Sequence, residues 1–255
     1  MTQHLRIIRA LMRRALNEIL RVPGGAIPGV LAPTIFMLGL SSVFGAAAQL
    51  RGYHGADFRT FIIPVSLLQG AGFTGAATGV NLARDIEQGW FDRMMLAPVP
   101  RSVILTRIVA SAALRALMPA TLLLIIGFAL GVHFPGAAGL ALAAGLVMVL
   151  ASAAACWGVM VALRFRTQQA APLMQVGTFV AVLFTTAYAP AALLAGWLRT
   201  LADANPVTYV LEGVRQGFVG TVTWNDTWPA LLAVGGLLMF FGVLAIRGMR
   251  RTGLE

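Results

Sequence analysis

Apolar stretches of about 20 residues recur along this 255-residue chain, and a helix of that length crosses the ~30 Å of hydrocarbon in a bilayer. A helix also satisfies its own backbone groups where water cannot. The spacing predicts six transmembrane helices, at 27–48, 60–82, 103–131, 137–163, 171–194 and 228–247. Hydrophobic residues make up 58% of the chain and charged residues only 11%, against about 25% charged in soluble domains. The expected fold is therefore all-α and polytopic, a single transmembrane domain over residues 1–255 with no internal repeat and no soluble domain.

Charge placement orients these spans. Residues 3–22 set Leu5, Ile8, Met12, Ala15 and Ile19 on one helical face and Arg6, Arg9 and Arg13 on the other. That pattern predicts an amphipathic helix lying in the headgroup layer, not a secretory signal. Fourteen arginines fall at the N-terminus, in the loops 84–107 and 164–170 and in the tail, against four on the other side. The positive-inside rule makes the first set, and both termini, cytoplasmic. Trp197, Trp224 and Trp228 then sit near the outer interface. The net charge of +10 is a matter of topology, not of nucleic-acid binding.

Between the second and third spans lies Arg84-Asp85-Ile86-Glu87-Gln88-Gly89-Trp90-Phe91-Asp92-Arg93-Met94-Met95-Leu96-Ala97-Pro98-Val99-Pro100-Arg101. Ile86, Trp90 and Met94 recur every fourth residue, flanked by Phe91 and Met95. This predicts a short amphipathic helix over 84–97, about 20 Å long. Pro98 and Pro100 end it, and Ser102 is the expected N-cap of the third span. A charged helix with an apolar stripe, held between two spans, is shaped to dock on something outside the bilayer.

The second span carries Ser66, Gln69, Gly70, Thr74, Thr78 and Asn81 on one side and Gly72, Gly75 and Gly79 on the other. Gly75-x-x-x-Gly79 permits close approach of another backbone. Gln175, Thr178, Thr185 and Thr186 align more loosely on the fifth span. Two explanations stand: Ser66, Gln69, Thr74, Thr78, Gln175 and Thr178 line a substrate path, or they are packing surfaces with satisfied hydroxyls. Arg115, two turns inside the third span, fits snorkelling toward the cytoplasmic surface. Residues 195–227 are too polar to span and too apolar for an ordinary loop, and Asn205-Pro206 divides them. They read as two re-entrant helices at the outer leaflet, with Asp203, Glu212 and Arg215 facing a watery vestibule.

Several chemistries are excluded. No lysine occurs, so no P-loop can form and any ATP-driven work belongs to another subunit. One cysteine, Cys156, makes neither a disulfide nor a thiolate cluster. His4, His54 and His133 are scattered, and no metalloprotease or nucleophile-elbow motif is present. An enzyme is not expected, nor is a metal or cofactor in this chain. A secondary carrier or channel acting alone is the alternative transport mechanism, but carriers place acids within spans. Here Asp85, Glu87 and Asp92 lie in the cytoplasmic loop and Asp57, Asp203 and Asp226 outside. A non-transporting membrane anchor for an ATPase is a third possibility.

The 84–101 run resembles the loop after the second span of ABC type-2 exporter permeases, nearest to the daunorubicin/doxorubicin-resistance type. Asn205-Pro206-x-x-Tyr209-x-x-Glu212-x-x-Arg215 is similar to a late motif of that family. The resemblance implies that the loop is a coupling helix resting on a separate nucleotide-binding ATPase. Asp85, Glu87, Gly89, Trp90, Phe91, Asp92 and Arg93 would form that contact, Asp85 standing where many relatives have glutamate. It further implies two ATPase copies carrying Mg-ATP, paired with two permeases, identical or paralogous, in a bacterial plasma membrane. The second and fifth spans would part to admit amphiphilic cargo such as a drug, lipid or lipid-linked glycan. Asn205, Pro206, Tyr209, Glu212 and Arg215 would shape the outer exit.

Overall fold

The computed structural model describes residues 23–45, 57–96 and 100–251. The interface helix expected at 3–22 and the last residues of the first expected span lie outside the described residues. Regular structure among the described residues is helical, with no strand. In chain order the helices are α1 (Pro23–Phe44), α2 (Phe58–Glu87), α3 (Trp90–Met95), α4 (Arg101–Ala129), α5 (Gly136–Phe165), α6 (Ala171–Leu183), α7 (Gly196–Ala204), α8 (Pro206–Val219) and α9 (Trp224–Arg251). Four of them, α2, α4, α5 and α9, are long and apolar enough to cross a membrane. The 30 residues of α2 rise ~45 Å. That exceeds the hydrocarbon thickness, so the ends of α2 project beyond it.

Helix α2 is central. It packs on α1, α4, α5, α6 and α8, and 83% of its most apolar stretch is buried inside the protein, against 17% for the peripheral α9. In hydrocarbon, helices gain little by leaving lipid for each other, so close van der Waals contact must hold them. The α2–α5 seam supplies it. A Cβ on Gly75 would lie 2.5 Å from the Ala151 carbonyl oxygen, and one on Gly79 would lie 2.4 Å from the Gly158 backbone. Only glycine lets the two helices lie this near.

Two boundaries differ from expectation. The span expected at 171–194 is helical only to Leu183, and the 13 residues of α6 reach ~20 Å. From its last turn onward, backbone carbonyls are taken by side chains from later in the chain. Asn205 Nδ2 donates to the oxygens of Ala181 (2.7 Å) and Phe184 (2.9 Å). The Arg215 guanidinium donates to those of Thr186 (2.8 Å) and Ala187 (3.4 Å). These long-range partners replace the helical ones, which is how irregular backbone persists at depth. Helix α4 starts at Arg101 with Pro100 in the cap position. Ser102 therefore lies inside the first turn, where its carbonyl accepts from Thr106 Oγ1 at 2.8 Å. Arg101 donates instead to the oxygens of Met249 (3.0 Å) and Arg250 (2.7 Å), pinning the end of α9 beside the start of α4.

The expected pair of short helices in 195–227 is present as α7 and α8, divided at Asn205. Asn205 Oδ1 accepts from Val207 N at 2.9 Å, the side-chain cap that starts α8.

Candidate functional site

The segment 84–97 is not one helix. Residues Arg84–Glu87 form the last turn of α2, and the chain bends at Gln88-Gly89 before α3 begins at Trp90. Gly89 has φ +71°, the left-handed region that glycine enters without a side-chain clash. Periodicity alone could not reveal this bend, because the apolar stripe continues across it.

On α3, Phe91 is 1% exposed and Trp90 59% exposed. Phe91 packs inward with Ile86, Leu105, Leu163 and Met249, a burial worth about 2 kcal/mol. The ATPase contact expected of Phe91 is thus corrected: its ring is an internal anchor of the foot. Trp90, Asp92 and Arg93 face outward, with the Arg93 guanidinium 5.3 Å from the Trp90 ring centroid. This cation–π contact holds the indole across the exposed face. Asp85 is also exposed.

Glu87 is engaged within the chain. It stands on the projecting end of α2, and Oε1 accepts from Thr167 Oγ1 (2.7 Å) and Gln168 N (2.9 Å). Its Oε2 accepts from Gln168 Nε2 at 2.5 Å. The Gln168 amide above all, then the Thr167 hydroxyl and the Gln168 N–H, hold the Glu87 carboxyl below the usual carboxylate range. Past the bend, Asp92 lies 3.8 Å from Arg166. The loop between α5 and α6 therefore touches the foot on both sides of Gly89, a relationship no local pattern announces.

A second polar cluster lies on α8. Arg215 is 5% exposed. Its Nη1 pairs with Glu212 Oε1 at 2.6 Å, and its guanidinium sits 3.9 Å from the Phe61 ring centroid. Thr186 Oγ1 also donates to Glu212. Arg215 thus ties α8 to α2 and to the chain after α6, correcting the expectation that it faces a vestibule. Asp203 and Tyr209 are exposed, the Tyr209 hydroxyl donating to the Asp203 carbonyl at 2.9 Å, and Glu212 is half-exposed. Pro206 occupies the first turn of α8, where its missing N–H costs nothing.

The expected path residues divide. Ser66, Gln69 and Thr78 are buried. Ser66 donates to the Pro33 carbonyl at 3.4 Å, Gln69 Nε2 to the Tyr188 hydroxyl at 2.9 Å, and Thr78 accepts from Arg115 at 3.0 Å. Arg115 is accordingly bound to α2, and these three side chains serve as polar packing. Thr74, Gln175 and Thr178 are partly exposed. The rings of Phe36 and Phe73 lie 5.8 and 6.5 Å from that of Phe179, so α1, α2 and α6 share one aromatic face. A cavity of about 250 Å³ opens between α2, α5, α6, α8 and α9, lined by Leu68, Trp157, Thr178, Val207 and Phe241 among others. Among the described residues no cluster of three or more metal-ligating side chains occurs.

Four spanning helices, a packed central helix and a short polar foot define a multi-pass helical membrane protein. The chain belongs to the ABC-2 type transporter family, whose sequence profile matches residues 6–219, and it is a permease, a membrane transport subunit. It is 25% identical over 239 residues to the daunorubicin resistance ABC transporter permease protein DrrB1 of Streptomyces coeruleorubidus, covering 92% of this chain and 82% of that one. It is 25% identical over 229 residues to the probable doxorubicin resistance ABC transporter permease protein DrrC of Mycobacterium tuberculosis, covering 89% and 82%. The probable multidrug ABC transporter permease YbhR of Escherichia coli (strain K12) is 25% identical over 186 residues, spanning 69% of this chain and about half, 49%, of that relative.

Proposed function

We propose that this permease is the membrane half of an exporter in the plasma membrane, driven by a separate ABC ATPase that docks on α3. The carrying observation is the outward face of Trp90, Asp92 and Arg93 on a foot anchored through Phe91. A flat indole backed by a stacked arginine, with a carboxylate beside it, is the kind of surface that forms interface hot spots. Six spans with both termini cytoplasmic put this face on the side where ATP is available. Two such chains, or this chain and a paralogue, pair with two ATPases.

The aromatic face shared by α1, α2 and α6, with Thr74, Gln175 and Thr178 beside it, suits amphiphilic cargo: rings for its apolar body, hydroxyls and an amide for its polar end. Binding of ATP to the ATPase moves the foot, and α2 and α6 separate to admit cargo from the cytoplasm or inner leaflet. The break at Asn205-Pro206 and the exposed side of α8, with Tyr209 and Glu212, shape the outer exit. The test is reconstitution in proteoliposomes of this chain with its ABC ATPase. Trp90→Ala with Asp92→Ala leaves folded permease that no longer stimulates hydrolysis or exports. Transport by the permease alone, without any ATPase, overturns the proposal in favour of a secondary carrier.

A further inference from the structure

We infer that Glu87 is a positioning residue that yokes α6 to α2 at the foot, so that displacement of α3 reaches both helices. This rests on the docking proposed for α3 but assigns Glu87 a different role from docking. The problem it solves is mechanical. A push on α3 meets the Gln88-Gly89 bend, and a Cβ built on Gly89 would have nothing within 4 Å. Nothing at the bend itself would carry the motion to α6, which begins only at Ala171.

The Glu87 carboxylate bridges that gap with three hydrogen bonds to Thr167 and Gln168. Gln168 opens a single 3-10 turn, Gln168–Ala170, that runs directly into α6 at Ala171. Thr167 Oγ1 in turn accepts from Gln169 N at 3.2 Å, so the residues that Glu87 grips are themselves fixed to the start of α6. A carboxylate beside the exposed N–H groups of such a turn is held by charge as well as by hydrogen bonds.

The receiving loop is also braced. Arg166 has φ 55°, unusual for a residue other than glycine, and its N–H still donates to the Ala162 carbonyl at 2.8 Å. Arg166 meets Asp92 on the far side of the bend. Higher up, α2 meets α6 again where a Cβ on Gly72 would stand 3.2 Å from Thr178. The two helices thus touch at mid-height and are tied at the foot; the Asp92–Arg166 pair there is exposed and 3.8 Å long, a weak link, whereas Glu87 makes three hydrogen bonds. Because Glu87 is exposed and Gln168 only half-buried, the tie adds little to folding stability. Its loss therefore changes coupling while leaving the fold.

The experiment places spin labels on cysteines in a Cys156→Ser background of the permease–ATPase complex. One pair joins Leu173→Cys on α6 to Leu232→Cys on α9; the other joins Asn81→Cys on α2 to the same reference. Distances are measured without nucleotide and with ADP–vanadate. Both shift in the otherwise unaltered complex. In Glu87→Ala the ATPase still copurifies and the α2 distance still shifts, but the α6 shift is lost. The exchange Glu87→Gln with Gln168→Glu restores it, since the hydrogen bonds re-form with roles reversed. Retention of the α6 shift in Glu87→Ala overturns the yoke, as does loss of ATPase binding, which would make Glu87 a docking residue. Trp90→Ala separates the two failures: if that variant keeps the ATPase, the docking proposal itself falls.

Discussion

Gly79 of α2 and Gly158 of α5 meet backbone to backbone, and a Cβ on Gly79 would stand 2.4 Å from the Cα of Gly158. No side-chain rotation relieves such a clash, because both sides of the contact are main chain. Gly79→Ala therefore forces α2 and α5 apart and costs about 1–3 kcal/mol, and Gly79→Leu prevents assembly of the bundle. Thermal unfolding in detergent measures the first. Recovery of monodisperse protein measures the second.

Asn205 does two separable jobs. Its Oδ1 caps α8 and its Nδ2 holds the carbonyls of Ala181 and Phe184. Asn205→Asp keeps the cap and loses both donations, which leaves two carbonyls facing a carboxylate. Asn205→Ser keeps a weaker cap and also loses the donations. The expected order of melting temperature is Asn, then Ser, then Asp, with Asp down by about 2 kcal/mol or more. If Asp melts with the parent protein, the carbonyls are held by something other than the amide.

These two sites also mark how far the amino-acid sequence is legible. Gly75-x-x-x-Gly79 announces a close helix contact because the stereochemistry of glycine is local, and Asn205-Pro206 announces a break for the same reason. The end of α6 does not announce itself. Apolar residues continue past Leu183, and what stops the helix is capping by Asn205 and Arg215, 20 to 30 residues on. The 84–97 stripe hid the bend at Gly89, since one glycine in a helical pattern reads as a small loss of propensity. The inward turn of Phe91 and the bonding of Glu87 to Gln168 are tertiary facts, without a signature at either residue.

Arg215 pairs with Glu212 and donates to two carbonyls while lying on Phe61. Arg215→Met strands those carbonyls and should cost about 3 kcal/mol. Glu212→Gln costs less, because the Glu212 side chain is half-exposed and the amide oxygen still accepts. Arg215→Lys does not rescue, since an ammonium cannot reproduce the planar fork. Melting temperatures of the three variants give the order Glu212→Gln, then Arg215→Lys, then Arg215→Met. A neutral Arg215→Lys would contradict the forked geometry.

Neighbouring residues of the foot should fail in different ways. Phe91→Ala empties a packed site and costs about 3 kcal/mol, lowering the melting temperature. Trp90→Ala removes an exposed ring, leaves the melting temperature within about 0.5 kcal/mol of the parent, and weakens ATPase binding. Size-exclusion chromatography of the complex separates the two. Equal loss of ATPase binding with equal destabilisation would mean that α3 acts only as a packing element.

The central claim is that the exposed face of α3 is the docking surface on the cytoplasmic side, and a cysteine at position 96, beside that face and 86% exposed, tests it most directly. In Leu96→Cys with Cys156→Ser, which keeps Trp90, a membrane-impermeant maleimide should label inside-out vesicles and spare right-side-out cells. Bound ABC ATPase should protect the thiol, and a short bifunctional cross-linker should join the two chains. Labelling from the cell exterior, or unchanged labelling and no cross-link in the assembled complex, would contradict it.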